Sequence, residues 1–80
     1  MDELIKILKT INPDIDYKTE EKLVEDKIYN SLNIVMLICA LSEKFNIKIT
    51  PEYMINDNFN SAQRIWKMIM EIKGENETKQ

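Results

Sequence analysis

The segment SLNIVMLICALSEKF, residues 31–45, carries apolar side chains on both sides of its helical projection in a chain of 80 residues. At about 100° per residue, Ile34, Leu37, Ile38, Leu41 and Phe45 fall within one arc, the stripe of a helix buried in a small bundle. Leu32, Met36, Cys39 and Glu43 lie on the opposite side, and three of those four are apolar as well. A chain this short buries only about 60% of its unfolded surface, so it has one domain, one core and little room for a deep active site. The long helix from Ser31 to about Asn46 is therefore the central element of whatever forms. Two readings of its second face stay open. Either the long preceding connection covers it, or it is an exposed strip for a partner protein.

Three further helices and no strand follow from the pattern. Leu4, Ile5, Leu8 and Ile11 recur at helical spacing after Asp2, a residue able to cap, and Asn12-Pro13 ends that helix. From Asn12 to Asn30 the periodicity dissolves into charge, with Ile15, Leu23, Val24 and Ile28 as anchors. Connections this long without structure of their own are uncommon. Pro51 opens a short helix through Ile55. Asn60 starts the last one, with Gln63 completing a capping box, Ala62, Ile65, Trp66 and Ile69 forming its stripe, and Gly74 at its C-terminal cap. The expected domain spans residues 1–74, and residues 75–80 form a polar, disordered tail.

Composition removes several classes of function. Apolar residues are 44% and charged residues 31% of the chain, the balance of a soluble globular domain. No apolar run approaches the roughly 20 residues of a membrane span, and MDELIKILKT has acids where a signal peptide has bases, so the expected address is cytoplasmic, with no membrane partner. With 11 basic residues against 14 acidic ones there is no basic stripe, and nucleic acid is not an expected partner. The chain has no histidine and one cysteine, Cys39, which excludes a zinc site of nitrogen and sulfur ligands and a nucleophile with an imidazole base. The expectation is a protein that is not an enzyme and holds no metal. Glu20 with Glu21, and Glu25 with Asp26, read as solvated charges rather than an acid and base pair.

Ser31 raises a different question. A serine at a helix start ordinarily caps it, its hydroxyl accepting an orphan backbone N–H. Asn30 is an equally good cap, which leaves one hydroxyl free at the positive end of a helix dipole, a position that favours an attached phosphate by up to roughly 1 kcal/mol.

NSLNIVMLICALSEKFNIKITPE, Asn30 to Glu52, resembles the central motif of the acyl and peptidyl carrier proteins, in which an Asp-Ser-Leu tripeptide opens the second helix. Leu37, Leu41 and Phe45 follow Ser31 at that family's core spacing. FNIKIT is similar to its exit from the second helix, and NFNSAQRIWKMI, Asn58 to Ile69, to its fourth-helix entry. The resemblance implies an all-α fold, a small four-helix bundle of the acyl-carrier type with a long first connection and a short third helix. It implies a 4′-phosphopantetheine arm on Ser31, with Asn30 beside it, bearing an acyl or aminoacyl group as a thioester. It also implies partners: a phosphopantetheinyl transferase, an acyl- or aminoacyl-loading ligase and downstream acyl-processing enzymes, all meeting a monomer. Leu32, Met36, Cys39 and Glu43, together with Met54 and Ile55 in the short third helix, form the expected docking patch.

The chain departs from the family at two places. Asn30 stands where an aspartate is usual, and the outer face of the second helix has Asn33, Met36 and Ser42 where fatty-acid carriers place acids, leaving Glu43. Docking through this strip depends on apolar burial, about 25 cal/mol per Å², more than on charge. Three classes stay in competition: a modified carrier, an unmodified carrier-like interaction module, and an unrelated helical adaptor that dimerises through its second apolar face.

Overall fold

A computed structural model describes residues 1–78, with side chains through Gly74. Among these residues the chain is all-helical: α1 (Asp2–Ile11), α2 (Ser31–Phe45), a 3-10 turn (Pro51–Tyr53), α3 (Asn56–Phe59) and α4 (Ala62–Thr78). The four-helix architecture expected from the sequence is present. No helix of the described residues is long and apolar enough to cross a membrane.

The apolar stripes close on one another as their spacing dictates. α1 packs against α2 and α4, burying Leu4 and Leu8, while α3 packs against α4. On α2, Leu37 and Leu41 are fully buried, and Ile34, Ile38 and Phe45 pack at the margin of the core. α4 contributes Ala62, Ile65 and Ile69 as expected, together with Met68 and Ile72. Each fully buried aliphatic side chain contributes about 1.5–3 kcal/mol, and these residues supply most of the cohesion of so small a domain. At the far end of α2, Phe45 meets Trp66 edge to face with centroids 5.9 Å apart, and Lys73 lies over the Phe45 ring. Asn46 ends α2 in the left-handed conformation, φ 52°, one that asparagine tolerates better than most residues.

Residues 12–30 have turns but no helix, and two tyrosines hold them. Tyr17 and Tyr29 are both buried, their rings edge to face and their hydroxyl oxygens 2.7 Å apart. The Tyr17 hydroxyl lies 2.6 Å from the Asn12 carbonyl, and both hydroxyls lie 2.9 Å from the Leu8 carbonyl. Carbonyls only accept and each phenol has one proton, so a consistent assignment has Tyr17 donating to Asn12 and Tyr29 sharing its proton between the Tyr17 oxygen and the Leu8 carbonyl. The arrangement satisfies the Asn12 carbonyl beyond the end of α1 and gives the Leu8 carbonyl, which already accepts the Asn12 N–H, a second donor. Ionising either phenol would set an oxyanion among carbonyl oxygens in a buried site. Burial raises Tyr17 above its ordinary value, and burial together with the Tyr17 hydrogen bond raises Tyr29 further.

A second clamp joins the connection to the start of α4. Asn60 Oδ1 accepts the N–H groups of Val24 and Glu25 at 3.0 and 3.1 Å, and the Asn60 carbonyl accepts the N–H of Leu23 at 2.9 Å. Leu23 is fully buried between these attachments.

Several local expectations need correction. Asp2 is the first residue of α1 rather than its cap; Met1 precedes the helix and no side chain caps it. Asp2 and Glu3 instead place two acids on the positive end of the dipole. Asn60 does not pair with Gln63 in a capping box, because its side chain is committed to the connection, and the hydroxyl of Ser61 accepts the N–H of Arg64 in its place. The short helix from Pro51 to Ile55 is divided: the turn stops at Tyr53, Ile55 is extended, and α3 begins at Asn56, with the Asn58 amide donating to the Tyr53 carbonyl across the break. Gly74 does not end α4, which runs through Thr78. The expected tail is thus helical over its first four residues, and residues 79–80 lie outside the described residues.

The tyrosine pair gives stability a pH dependence of known sign. Raised folded-state values mean the fold favours the neutral phenols, so their contribution is complete below the ordinary value near 10.0 and is lost as pH rises above it. Urea midpoints should fall between about pH 9 and pH 11 in the wild type, and the Tyr17→Phe/Tyr29→Phe double variant should show a shallower fall over that interval. The Asn60 clamp is tested by contrast with the residue the sequence paired it with. Asn60→Ala, which orphans two N–H donors, should cost about 2–4 kcal/mol in chemical denaturation, and Gln63→Ala less than about 0.5 kcal/mol.

Candidate functional site

The start of α2 divides its tasks between neighbouring residues. Tyr29 is drawn into the core by its ring, and its N–H donates to the Leu23 carbonyl at 2.8 Å. Asn30 then takes an extended backbone, and its side-chain oxygen accepts the N–H of Asn33 at 2.9 Å, while Asn33 Oδ1 accepts the N–H of Asn30 at 3.1 Å. This reciprocal box does the capping. Ser31, the first residue of the helix, is exposed, and its hydroxyl has no hydrogen-bond partner among the described residues. The question of whether Ser31 caps the helix is answered: Asn30 does. The sequence identified Asn30 as a cap but not the returning bond from Asn33, whose signal was a second asparagine at the third helical position.

Beside Ser31 lies an open groove of ≈ 420 Å³ lined by Val24, Lys27, Tyr29, Asn30, Ser31, Ile34 and Asn56. Val24, Tyr29 and Ile34 are its less exposed, largely apolar members, while Lys27, Asn30, Ser31 and Asn56 are exposed around it. Lys27 is left-handed at φ 57°, a conformation that costs a residue with a Cβ roughly 1 kcal/mol or more. Its N–H donates to the Val24 carbonyl at 3.0 Å, closing the turn that carries the chain toward Tyr29. Neither Lys27, in a turn of the connection, nor Asn56, at the start of α3, had a signal in the sequence, because each is brought to the groove by contacts distant in the chain.

The second face of α2 is open. Leu32 is 67% exposed and Met36 47%, and Cys39 and Glu43 are exposed on the same side of the helix. The connection does not cover them, so the reading of a helix covered on both faces is set aside. Val35, 55% exposed, belongs to the same strip. Its position three residues after Leu32 and four before Cys39 places it there on helical spacing alone. Met54 and Ile55 are 48% and 53% exposed on the segment that leads into Asn56. The structure thus brings Asn30 and Ser31 to one groove and sets Leu32, Met36, Cys39 and Glu43 along one helix face. It carries Met54 and Ile55 on the approach to the groove's far side.

Among the described residues no cluster of acidic or cysteine side chains could hold a metal ion. The first turn of α2 contains no acid, so no fixed negative charge on it opposes an anion at Ser31.

Known proteins give a consistent pattern. The chain is 50% identical over 42 residues to an acyl carrier protein of Wolinella succinogenes, covering 52% of this chain and 54% of the relative. It is 48% identical over 50 residues to an acyl carrier protein of Buchnera aphidicola, covering 62% of each. It is 27% identical over 77 residues to a D-alanyl carrier protein of Lactococcus lactis, and that match covers 94% of this chain and 98% of the relative. The stronger identities therefore span about half to two thirds of the acyl carrier proteins, and the weaker one spans nearly the whole of the D-alanyl carrier protein. No family model matches the chain, and no solved structure does so at a significant level. Four helices in this order, a serine opening the second, and relatives of one kind agree: the chain is similar to the acyl and D-alanyl carrier proteins.

Proposed function

We propose that this chain is a carrier protein modified on Ser31 by 4′-phosphopantetheine, and that it presents an acyl or aminoacyl group to partner enzymes. One observation supports this reading above the rest: the Ser31 hydroxyl is exposed and unbonded at the opening of α2 while Asn30 and Asn33 carry the cap. The residues fit the group. The hydroxyl is open to a modifying enzyme, the dipole of a 15-residue helix favours the phosphate, and a groove begins at the serine itself. When attached, the arm supplies a terminal thiol on which cargo is held as a thioester.

This chain's residues would then do three things. Ser31 tethers. Asn30 and Asn33 hold the helix end in a fixed direction without using the serine. Leu32, Val35, Met36 and Cys39, with Met54 and Ile55, offer partners an apolar surface, and Glu43 marks its polar edge. The partners in this reading are a phosphopantetheinyl transferase, a loading ligase and downstream acyl-processing enzymes. A small aminoacyl or modified acyl cargo fits best, because the near full-length relative is named a D-alanyl carrier protein and α2 keeps only Glu43 of the acids usual in fatty-acid carriers. Asn30 in place of aspartate favours a second reading, an unmodified interaction module working through the same strip.

Intact mass after co-expression with a broad-specificity phosphopantetheinyl transferase separates the two readings. Wild type should gain the mass of one arm and Ser31→Ala none; an unchanged wild-type mass would reject modification. If Asn30→Asp alone is modified, the interaction-module reading holds for the natural chain. The apolar surface has its own test in the transferase KM. Between about 0.05 and 0.2 M salt KM should change less than about twofold, because little fixed charge lies on the strip. Met36→Glu should raise KM roughly tenfold, equivalent to losing about 1.4 kcal/mol of binding.

A further inference from the structure

We propose that Lys27 is the residue that binds the phosphodiester of an arm carried on Ser31, and that the groove beside it takes the first, apolar part of that arm. The inference rests on the carrier reading and adds to it a binding residue supplied by the connection rather than by α2.

Placement is the first support. Lys27 and Ser31 line the same groove, so a lysine side chain rooted there has an anion on the serine oxygen as its neighbour across one open space. The root of the lysine is also fixed. Its left-handed backbone closes a turn in which Lys27 N–H donates to Val24 and Tyr29 N–H donates to Leu23, and Asn60 pins residues 23–25 from behind. A glycine would enter that conformation with less strain, yet the chain puts a long cation there, and strain held beside a reactive group is a reason to look for a function.

Charge is the second support. The first turn of α2 has no acid, and the residues flanking the serine, Asn30 and Leu32, are uncharged. Glu25 and Asp26 precede Lys27 in sequence but do not line the groove, and Lys27 has no ion-pair partner among the described residues. A phosphodiester at Ser31 would therefore meet one unpaired cation and the positive end of a helix. The shape of the groove agrees. After its phosphate the arm continues through a gem-dimethyl carbon, suited to the floor of Val24, Tyr29 and Ile34, and then through a hydroxyl and an amide, suited to the side chain of Asn56.

The test compares apo and arm-bearing forms of wild type, Lys27→Gln and Lys27→Arg, first confirming by far-UV circular dichroism that the apo forms share one helix content. In low salt the wild-type melting temperature should rise by about 2 °C on attachment of the arm, the rise should vanish in Lys27→Gln, and Lys27→Arg should keep it. Nuclear Overhauser contacts from the arm's methyl groups to Val24 and Ile34 should be present in wild type and weakened in Lys27→Gln, and the phosphorus resonance should move with the substitution. Attachment followed by equal melting shifts in all three proteins, or by no contact between the arm and the groove, would overturn the inference and leave the carrier reading standing. Failure of the arm to attach to wild type would overturn both.

Discussion

The Leu8 carbonyl, reached by two tyrosine hydroxyls, is the contact on which the geometry of this molecule turns. Tyr17 comes from early in the connection and Tyr29 from its last buried position, so one acceptor on α1 draws together segments that have no helix to order them. Without that bond network, residues 12–30 would be fixed only where Asn60 holds residues 23–25 and Leu23 is buried, since Ile15, Val24 and Ile28 are only partly buried. With it, Tyr29 is immobilised one residue before the cap, and the direction in which α2 begins is set by α1. Placing polar hydroxyls inside so small a core is costly unless each finds a partner, and here each does.

The asparagine pair at the start of α2 has the opposite character. It is exposed, neutral and local, and such a box is modest in energy, about 1 kcal/mol. Its importance lies in substitution of roles. Where a serine at this position would ordinarily fold back onto the helix amides, the box has already taken that duty, and Ser31 is left with an outward hydroxyl. On the proposed carrier reading, what the fold has to provide is an accessible tether at a defined place, and a surface that others can grip.

The fold was legible in the chain wherever periodicity was strong. The stripes of Leu4 and Leu8, of Leu37 and Leu41, and of Ile65 and Ile69 are buried as their spacing requires, because a helix must hide one face whatever its neighbours are. The serine site was legible because it is local: Asn30, Ser31 and the following run lie within a few residues. What escaped was non-local. Asn60 reads as an ordinary N-cap, and only its partners at Val24 and Glu25, 36 and 35 residues away, convert it into a clamp. Tyr17 and Tyr29 lie in a stretch so charged that no pattern marks them as core. Helix ends were misjudged for a related reason, since Ser61 caps α4 once Asn60 is engaged elsewhere, and Gly74, open to solvent within α4, is tolerated at a cost of about 1 kcal/mol against alanine.

The long reach of Asn60 also sets an order of events. Val24 lines the groove at Ser31, and residues 23–25 are held by a residue far along the chain, so that side of the groove is not fixed on a polypeptide still lacking the start of α4. Loop closure over such separations is slow compared with the formation of any single helix here. A newly made chain therefore exposes its serine before it possesses the surroundings that orient it. A modifying enzyme that reads those surroundings would act only after the Asn60 clamp has formed, and the fold itself would serve as the signal that the tether is ready.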